Sequence, residues 1–466
     1  MTPEGLAGRL RRDLGTLESY AALMGILIGA GIFRVTSEAW ALTGPSVLLA
    51  HLVLAPAVLA TSVGYAVFLS TPLGREPGGE YSHISRTLGG RRLAFVAAWL
   101  KVISYLGALA YLANALADYV IEMGGERMIP EVHRLPLAIA SLVLFYLVHA
   151  AGVRWFGRIQ VAMCALLGLS LIVLILPGLF AIRLANYRPF FTGGVSGFAS
   201  SLPPLFFAYA GFESLAQAAG EVKDSTKRLP VVFLKGLAAT TVIFLLMSIV
   251  AFGVLPGDRL AVSHAPMAEV AARYLPGGAA WFVNLGAIMA IATSLNSTML
   301  VPSRLGVMLA EDGLAPRWLG GILGVTGTPV LGLTITLGVA VLLLVSGQLS
   351  LALNVAVFAL VILYFLHSLV LLLLPRRNPA LNRSVTARIP TWVRSGAGVV
   401  SMTVMGALIV LQVREDLGIL RTQSLAERIA GQSLTSLELV LMWGLVGIVV
   451  YAIGRRAERA SLRPEG

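Results

Sequence analysis

Three glycines interrupt one apolar stretch near the start of the chain, Gly25-Ile26-Leu27-Ile28-Gly29-Ala30-Gly31-Ile32-Phe33. Glycine is among the weakest helix formers. Small residues four apart let helices pack closely, which accounts for Gly25 and Gly29 but not for Gly31 or the polar run from Arg34 to Glu38. A helix unwound at its middle accounts for all of them. A later stretch, Phe206-Phe207-Ala208-Tyr209-Ala210-Gly211-Phe212-Glu213, also has a glycine near its middle, followed by a carboxylate. Unwinding frees backbone N–H groups at one half-helix end and C=O groups at the other. The N–H end suits an anion such as a carboxylate, and the carbonyl end an ammonium group or a metal cation. A site with both ends fits a zwitterion, and an amino acid is the obvious one.

Two ionisable residues lie in apolar surroundings. A charge at mid-membrane costs about 3 kcal/mol on insertion scales and marks a pathway or a paired site. Glu213 is then either a protonatable carrier or a carboxylate bonded to backbone groups freed by the break. Lys101 snorkels to the nearer interface, pairs with Glu213, or stands as a fixed cation of the pathway.

The elements that must hold these residues follow from composition. The chain has 466 residues, 57% hydrophobic and 12% charged, whereas a soluble domain has about a quarter of its residues charged. Disorder is excluded by the same apolar content, and a disulfide scaffold by the single cysteine, Cys164. A transmembrane helix needs about 20 apolar residues, and about twelve stretches qualify: 19–42, 46–72, 92–121, 135–152, 155–181, 197–219, 230–254, 279–310, 328–346, 349–374, 396–413 and 435–454. Runs such as Leu166 to Leu176 are apolar without alternation, hence helical rather than barrel strands. The predicted fold class is an all-α polytopic membrane protein. Most of the 35 Lys and Arg fall on the side of the N-terminus, which puts both termini in the cytoplasm.

The interrupted stretches are the first and the sixth. That odd offset reverses the chain direction, so the halves are related by a pseudo-two-fold axis in the membrane plane, and matching interruptions point to a transporter's central site. The predicted organisation is a cytoplasmic N-terminus over 1–18, a five-helix repeat over 19–181, and a second, inverted repeat over 197–374. Two further helices over 396–454 and a cytoplasmic stub over 455–466 complete it. No loop houses an enzyme domain or a nucleic-acid-binding face. The six histidines lack metal-ligand spacing, and no strand precedes the glycine-rich stretch as a nucleotide fingerprint requires. The expected partners are a small molecule and the lipid bilayer, with no nucleic acid and no cofactor beyond a coupling ion.

Four stretches resemble one family, the amino acid–polyamine–organocation (APC) permeases. They are GILIGAGIF in the first helix, Pro77-Gly78-Gly79-Glu80-Tyr81, the run from Phe206 to Pro230, and Ser303-Arg304 with Ala310 to Pro316. The resemblance implies a LeuT-like five-plus-five inverted repeat with discontinuous helices 1 and 6 and two C-terminal helices. It implies that backbone from Ile28 through Gly29, Ala30 and Gly31 to Ile32 binds a substrate carboxylate. Carbonyls of Ile26, Leu27, Phe207 and Ala210 would take the amino group. Phe207 would close over substrate as a gate, or be plain core. Glu213 matches an acidic residue tied to proton coupling or gating, and Lys101 has no counterpart that fixes its role.

Ala290, Thr293 and Ser294, in the pattern A-x-x-T-S, resemble a LeuT-type sodium site completed by first-helix carbonyls from Ala22 to Gly25. The plainer alternative is hydroxyls bonded to their own helix. Some proton-coupled relatives place a fifth-helix lysine there, and Leu166 to Ser170 holds none. Na+ and H+ thus both stay open as coupling ions. The expected activity is secondary transport of neutral, mostly apolar amino acids across the cell membrane by alternating access. An amine or polyamine antiporter or uniporter and a non-transporting nutrient sensor are the alternatives; an enzyme is not expected.

Overall fold

The computed structural model describes residues 6–29, 31, 33, 36–124, 130–261, 263, 266–347, 349–430 and 434–461. Among the described residues the chain is helical, with two isolated β-bridges and no strand. The first half holds α1 (Thr16–Leu27), α2 (Thr36–Thr43), α3 (Val47–Leu69), α4 (Glu80–Leu88), α5 (Arg91–Gly124), α6 (Arg134–Ala150) and α7 (Val153–Gly178). Next come α8 (Gly194–Phe207), α9 (Ser214–Gln217), α10 (Ser225–Val254), α11 (Gly257–Leu260), α12 (Pro266–Ala272) and α13 (Gly277–Glu311). The chain continues through α14 (Val330–Val345), α15 (Leu349–Arg377), α16 (Pro379–Arg383), α17 (Thr391–Thr422), α18 (Leu425–Ala430) and α19 (Ser436–Ser461).

Nine helices among the described residues are long and apolar enough to cross a membrane. Among the described residues, the predicted spans below that threshold are the first, sixth and ninth. The first is split into α1 and α2, with α2 running on into α3 as one 34-residue stretch. The sixth is split into α8 and the single turn α9, and the ninth is the 16-residue α14. The helix α4 lies between the second and third spans and ends at Gly89, whose φ of 66° lies in the left-handed region that glycine favours.

The centre of the bundle is α5, packed against α15, α13, α6, α4 and α14, with α13 also against α7 and α1. The second span, α3, packs on α10 and α17. The last two helices are peripheral: only 22% of the apolar window of α17 and 6% of that of α19 is buried. Leu441, Leu445 and Ile448 of α19 face outward, and such a continuous apolar surface belongs in lipid. The contact of α19 with α5 is specific. Trp99 Nε1 donates to the Trp443 carbonyl and Trp443 Nε1 to the Trp99 carbonyl, each at 2.7 Å. The two rings stack at 4.4 Å, and Gly447 makes room, because a Cβ there would lie 2.6 Å from Trp99.

Candidate functional site

Both interrupted stretches leave α-helical geometry among the described residues. The helix α1 stops at Leu27, and Ile28 turns out of helical geometry with ψ 53°. A Cβ on Gly29 would run into the Ser294 hydroxyl, and one on Gly31 would lie 2.5 Å from Ala208 Cα. Gly31 is therefore where the two breaks touch. In the second break, α8 ends at Phe207, after Pro203 and Pro204, and Gly211 adopts φ 99°, which only glycine takes readily. Gly25 has a packing role, facing the Gln160 amide and Cys164 Sγ.

A small cavity lies between the breaks. Ile26, Leu27 and Gly31 wall it from the first break, and Ala208, Ala210 and Gly211 from the second. Opposite them stand Ser104, Tyr105, Ala108 and Leu112 of α5, Ser294 and Thr298 of α13, and Leu360 of α15. Ile26, Leu27, Gly31 and Ala210 were expected at such a site. Ile28 and Gly29 are buried beside it. Ala30, Ile32 and the Phe207 side chain lie outside what the structure describes. The wall from α5 was not anticipated, although positions 105, 108 and 112 follow helical spacing along one face. No described lining residue carries a charge.

Beneath the cavity is a buried ionic cluster. Glu213 is fully buried; its Oε1 accepts from the Tyr105 hydroxyl at 2.7 Å, and its Oε2 from the Tyr364 hydroxyl and from Gly211 N at 3.1 Å. Lys101 is 1% exposed and does not reach for an interface: Nζ donates to Glu80 Oε2 at 2.7 Å and stands 4.0 Å from Glu213 Oε1. Glu80 also accepts from Gln217 Nε2 at 3.0 Å and from the Tyr65 hydroxyl. Pairing is what permits a buried lysine. Sequence reasoning quoted Glu80 within its motif and gave it no role. Beside Glu80, His83 Nδ1 and His367 Nε2 are 3.0 Å apart. Burial, then His367 and Lys101, push the His83 imidazole well below its ordinary range.

A second buried cluster backs the first break. Thr293 Oγ1 donates toward the carbonyls of Gly25 at 2.9 Å and Ala290 at 2.7 Å. Ser294 Oγ lies 3.1 Å from the Gly25 carbonyl and 3.0 Å from that of Ile26, and Ser297 Oγ 3.3 Å from that of Ala22. The five residues singled out for a sodium ion are thus neighbours, and their hydroxyls and carbonyls are the hard oxygens such an ion takes. From the fifth helix Cys164 Sγ faces them, 3.2 Å from the Ala21 carbonyl, together with Gln160, both earlier in α7 than Leu166 to Ser170. Gln160 Nε2 donates to the carbonyls of Ala21 at 3.1 Å and Thr293 at 3.2 Å, while Oε1 accepts from Asn296 at 2.7 Å.

Three of the four motif stretches meet elsewhere. Arg304 grips Glu221 through two nitrogens, at 3.1 and 3.0 Å, both side chains being fully buried. Leu14 N donates to the Glu221 carbonyl at 3.0 Å, and Lys223 N to the Leu14 carbonyl at 2.9 Å. The Tyr81 hydroxyl donates to Asp312 at 2.6 Å, and Arg86 lies 3.2 Å from the same carboxylate. Burial, then the Asp312 bond, raises the Tyr81 phenol above its usual range. Residues of the second and third motifs are thereby tied to the fourth, and Leu14, ahead of the first, to the third.

The family described as amino acid permease matches residues 14–419. The chain is 28% identical over 323 residues to the methylthioribose transporter of Bacillus subtilis (strain 168), covering 66% of this chain and 69% of that protein. It is 25% identical over 324 residues to the branched-chain amino acid permease BcaP of the same organism, with the same shares of 66% and 69%. Against cationic amino acid transporter 9, chloroplastic, of Arabidopsis thaliana, identity is 27% over 324 residues, 66% of this chain and 56% of the relative. With a match running through both breaks and both buried clusters, the chain belongs to the amino acid permease family of the APC superfamily and is an integral membrane protein.

Proposed function

We propose that the chain is a secondary transporter of neutral, apolar amino acids, working by alternating access between two inverted five-helix repeats and driven by protons. The observation that carries this is the uncharged cavity between two helix breaks. A substrate carboxylate meets freed N–H groups near Gly29 and Gly31, and its ammonium the carbonyls about Ile26, Leu27, Phe207 and Ala210. An aliphatic side chain rests against Ala108, Leu112 and Leu360, where burial of each methylene contributes about 0.8 kcal/mol. A cationic side chain or a polyamine finds no carboxylate in the described wall. Similarity to a branched-chain amino acid permease favours the same class.

Coupling falls to Glu213, because Tyr105 both lines the cavity and donates to that carboxylate. Opening to the cytoplasm, where both termini lie in this proposal, requires separating Glu221 from Arg304. The oxygen cluster at Ala22, Gly25, Ala290, Thr293 and Ser294 supports a second reading, with Na+ as the cotransported cargo. Uptake of labelled leucine, isoleucine and valine into proteoliposomes, with a pH or a sodium gradient imposed separately, tests both. Uptake driven by the pH gradient and lost in Glu213→Gln is the expected result. Folded protein that moves no amino acid would return the chain to the sensor alternative.

A further inference from the structure

The ionic cluster does not balance. Glu80, Lys101 and Glu213 supply two carboxyls and one ammonium, each at most 1% exposed. The ring groups around them do not make up the difference. Tyr65 of α3, Tyr105 of α5 and Tyr364 of α15 are phenols acting as donors, and His83 and His367 share a hydrogen bond that two neutral imidazoles satisfy. Arg304 of α13 is held by Glu221. An uncompensated charge in such surroundings is severely penalised, so the cluster holds one proton.

Hydrogen-bond geometry says where. Glu80 accepts from Lys101, Gln217 and Tyr65, and an ammonium can only donate. Glu213 stands farther from that ammonium and faces hydroxyls, which both donate and accept. The Tyr105 hydroxyl lies 2.7 Å from Glu213 Oε1 and 3.4 Å from the Gly211 carbonyl. By turning its O–H toward Gly211 it becomes an acceptor for a protonated Glu213. The Tyr65 hydroxyl can turn in the same way at Glu80 Oε1, but protonating Glu80 gives up its 2.7 Å ion pair with Lys101, whereas protonating Glu213 gives up only a 4.0 Å approach.

We infer that Glu80 is a positioning residue, the fixed counter-ion of Lys101, and that this pairing leaves Glu213 as the group that carries the single proton. The inference rests on the proton-coupled transport proposed above and assigns its coupling stoichiometry to a residue outside the cavity wall. Without Glu80, Lys101 has only Glu213 to pair with, the cluster balances with no proton, and coupling is lost.

The test uses the full chain in proteoliposomes, with labelled leucine, in two assays: counterflow without a gradient, and accumulation under an inward gradient of about one pH unit. One proton per substrate supports up to about tenfold accumulation. Wild type is expected to approach that value and Glu80→Gln to fall to no accumulation while keeping counterflow. The double variant Glu80→Gln with Lys101→Met leaves Glu213 alone among its hydroxyls and regains accumulation, a rescue that a merely structural role for Glu80 does not give. Wild-type-like accumulation in Glu80→Gln, or a folded double variant that stays uncoupled, overturns the inference. If Glu80→Gln does not fold, the double variant decides alone. Wild type that shows counterflow but no accumulation under the pH gradient also overturns it while leaving amino acid transport intact; absence of counterflow in wild type removes the transport proposal itself.

Discussion

Each helix break is backed by its own buried polar cluster, and the two are chemically opposite. Behind the first break stand neutral groups: Thr293, Ser294, Ser297 and Gln160, bonded to backbone carbonyls of α1 and α13. Beneath the second stand charges, Glu80, Lys101 and Glu213, hemmed in by phenols. Neutral hydrogen bonds are worth about 1 kcal/mol each net and are readily remade with new partners. Buried charges tolerate no loss of a partner. The first break is thus fastened by contacts that can be exchanged during movement, whereas the second is held by groups whose protonation decides whether the arrangement is allowed at all.

The contrast can be broken most directly at Lys101. Lys101→Met leaves two buried carboxyls facing one another and is expected to lower stability by about 3–5 kcal/mol, read as the melting temperature of the detergent-solubilised protein. A melting curve like that of wild type would mean that the charges are not what fixes the second region. Gln160→Leu deprives the Ala21 and Thr293 carbonyls and the Asn296 amide of a partner, for an expected loss of about 1–3 kcal/mol. Its leucine uptake should keep the wild-type response to a pH gradient; a lost response would place coupling at the neutral cluster. The smallest effect belongs to Thr293→Ala, about 1 kcal/mol, with proton-driven uptake retained. A sodium-stimulated flux that vanishes in this variant would sharpen the contrast in the other direction, giving the first break its own ion.

Both breaks were legible in the sequence because glycines and ionisable residues stand out against continuous apolar helix, and Glu213 was legible for the same reason. Glu80 was not. It sits on α4, between the second and third spans, and only folding brings that helix against Lys101. The cavity wall from α5 stayed hidden because that 34-residue helix is apolar on nearly every side, so no amphipathic stripe marks the face toward substrate. The register of α7 against α1 likewise belongs to tertiary packing, which is why Gln160 and Cys164 rather than a residue from Leu166 to Ser170 meet the first helix.

The stacked indoles of Trp99 and Trp443 carry a consequence of a different kind. Two parallel chromophores 4.4 Å apart couple their excited states, so their near-ultraviolet circular dichroism differs from that of separated indoles. The last helix therefore arrives with a built-in optical label, and its docking onto α5 can be followed by spectroscopy without attaching any dye.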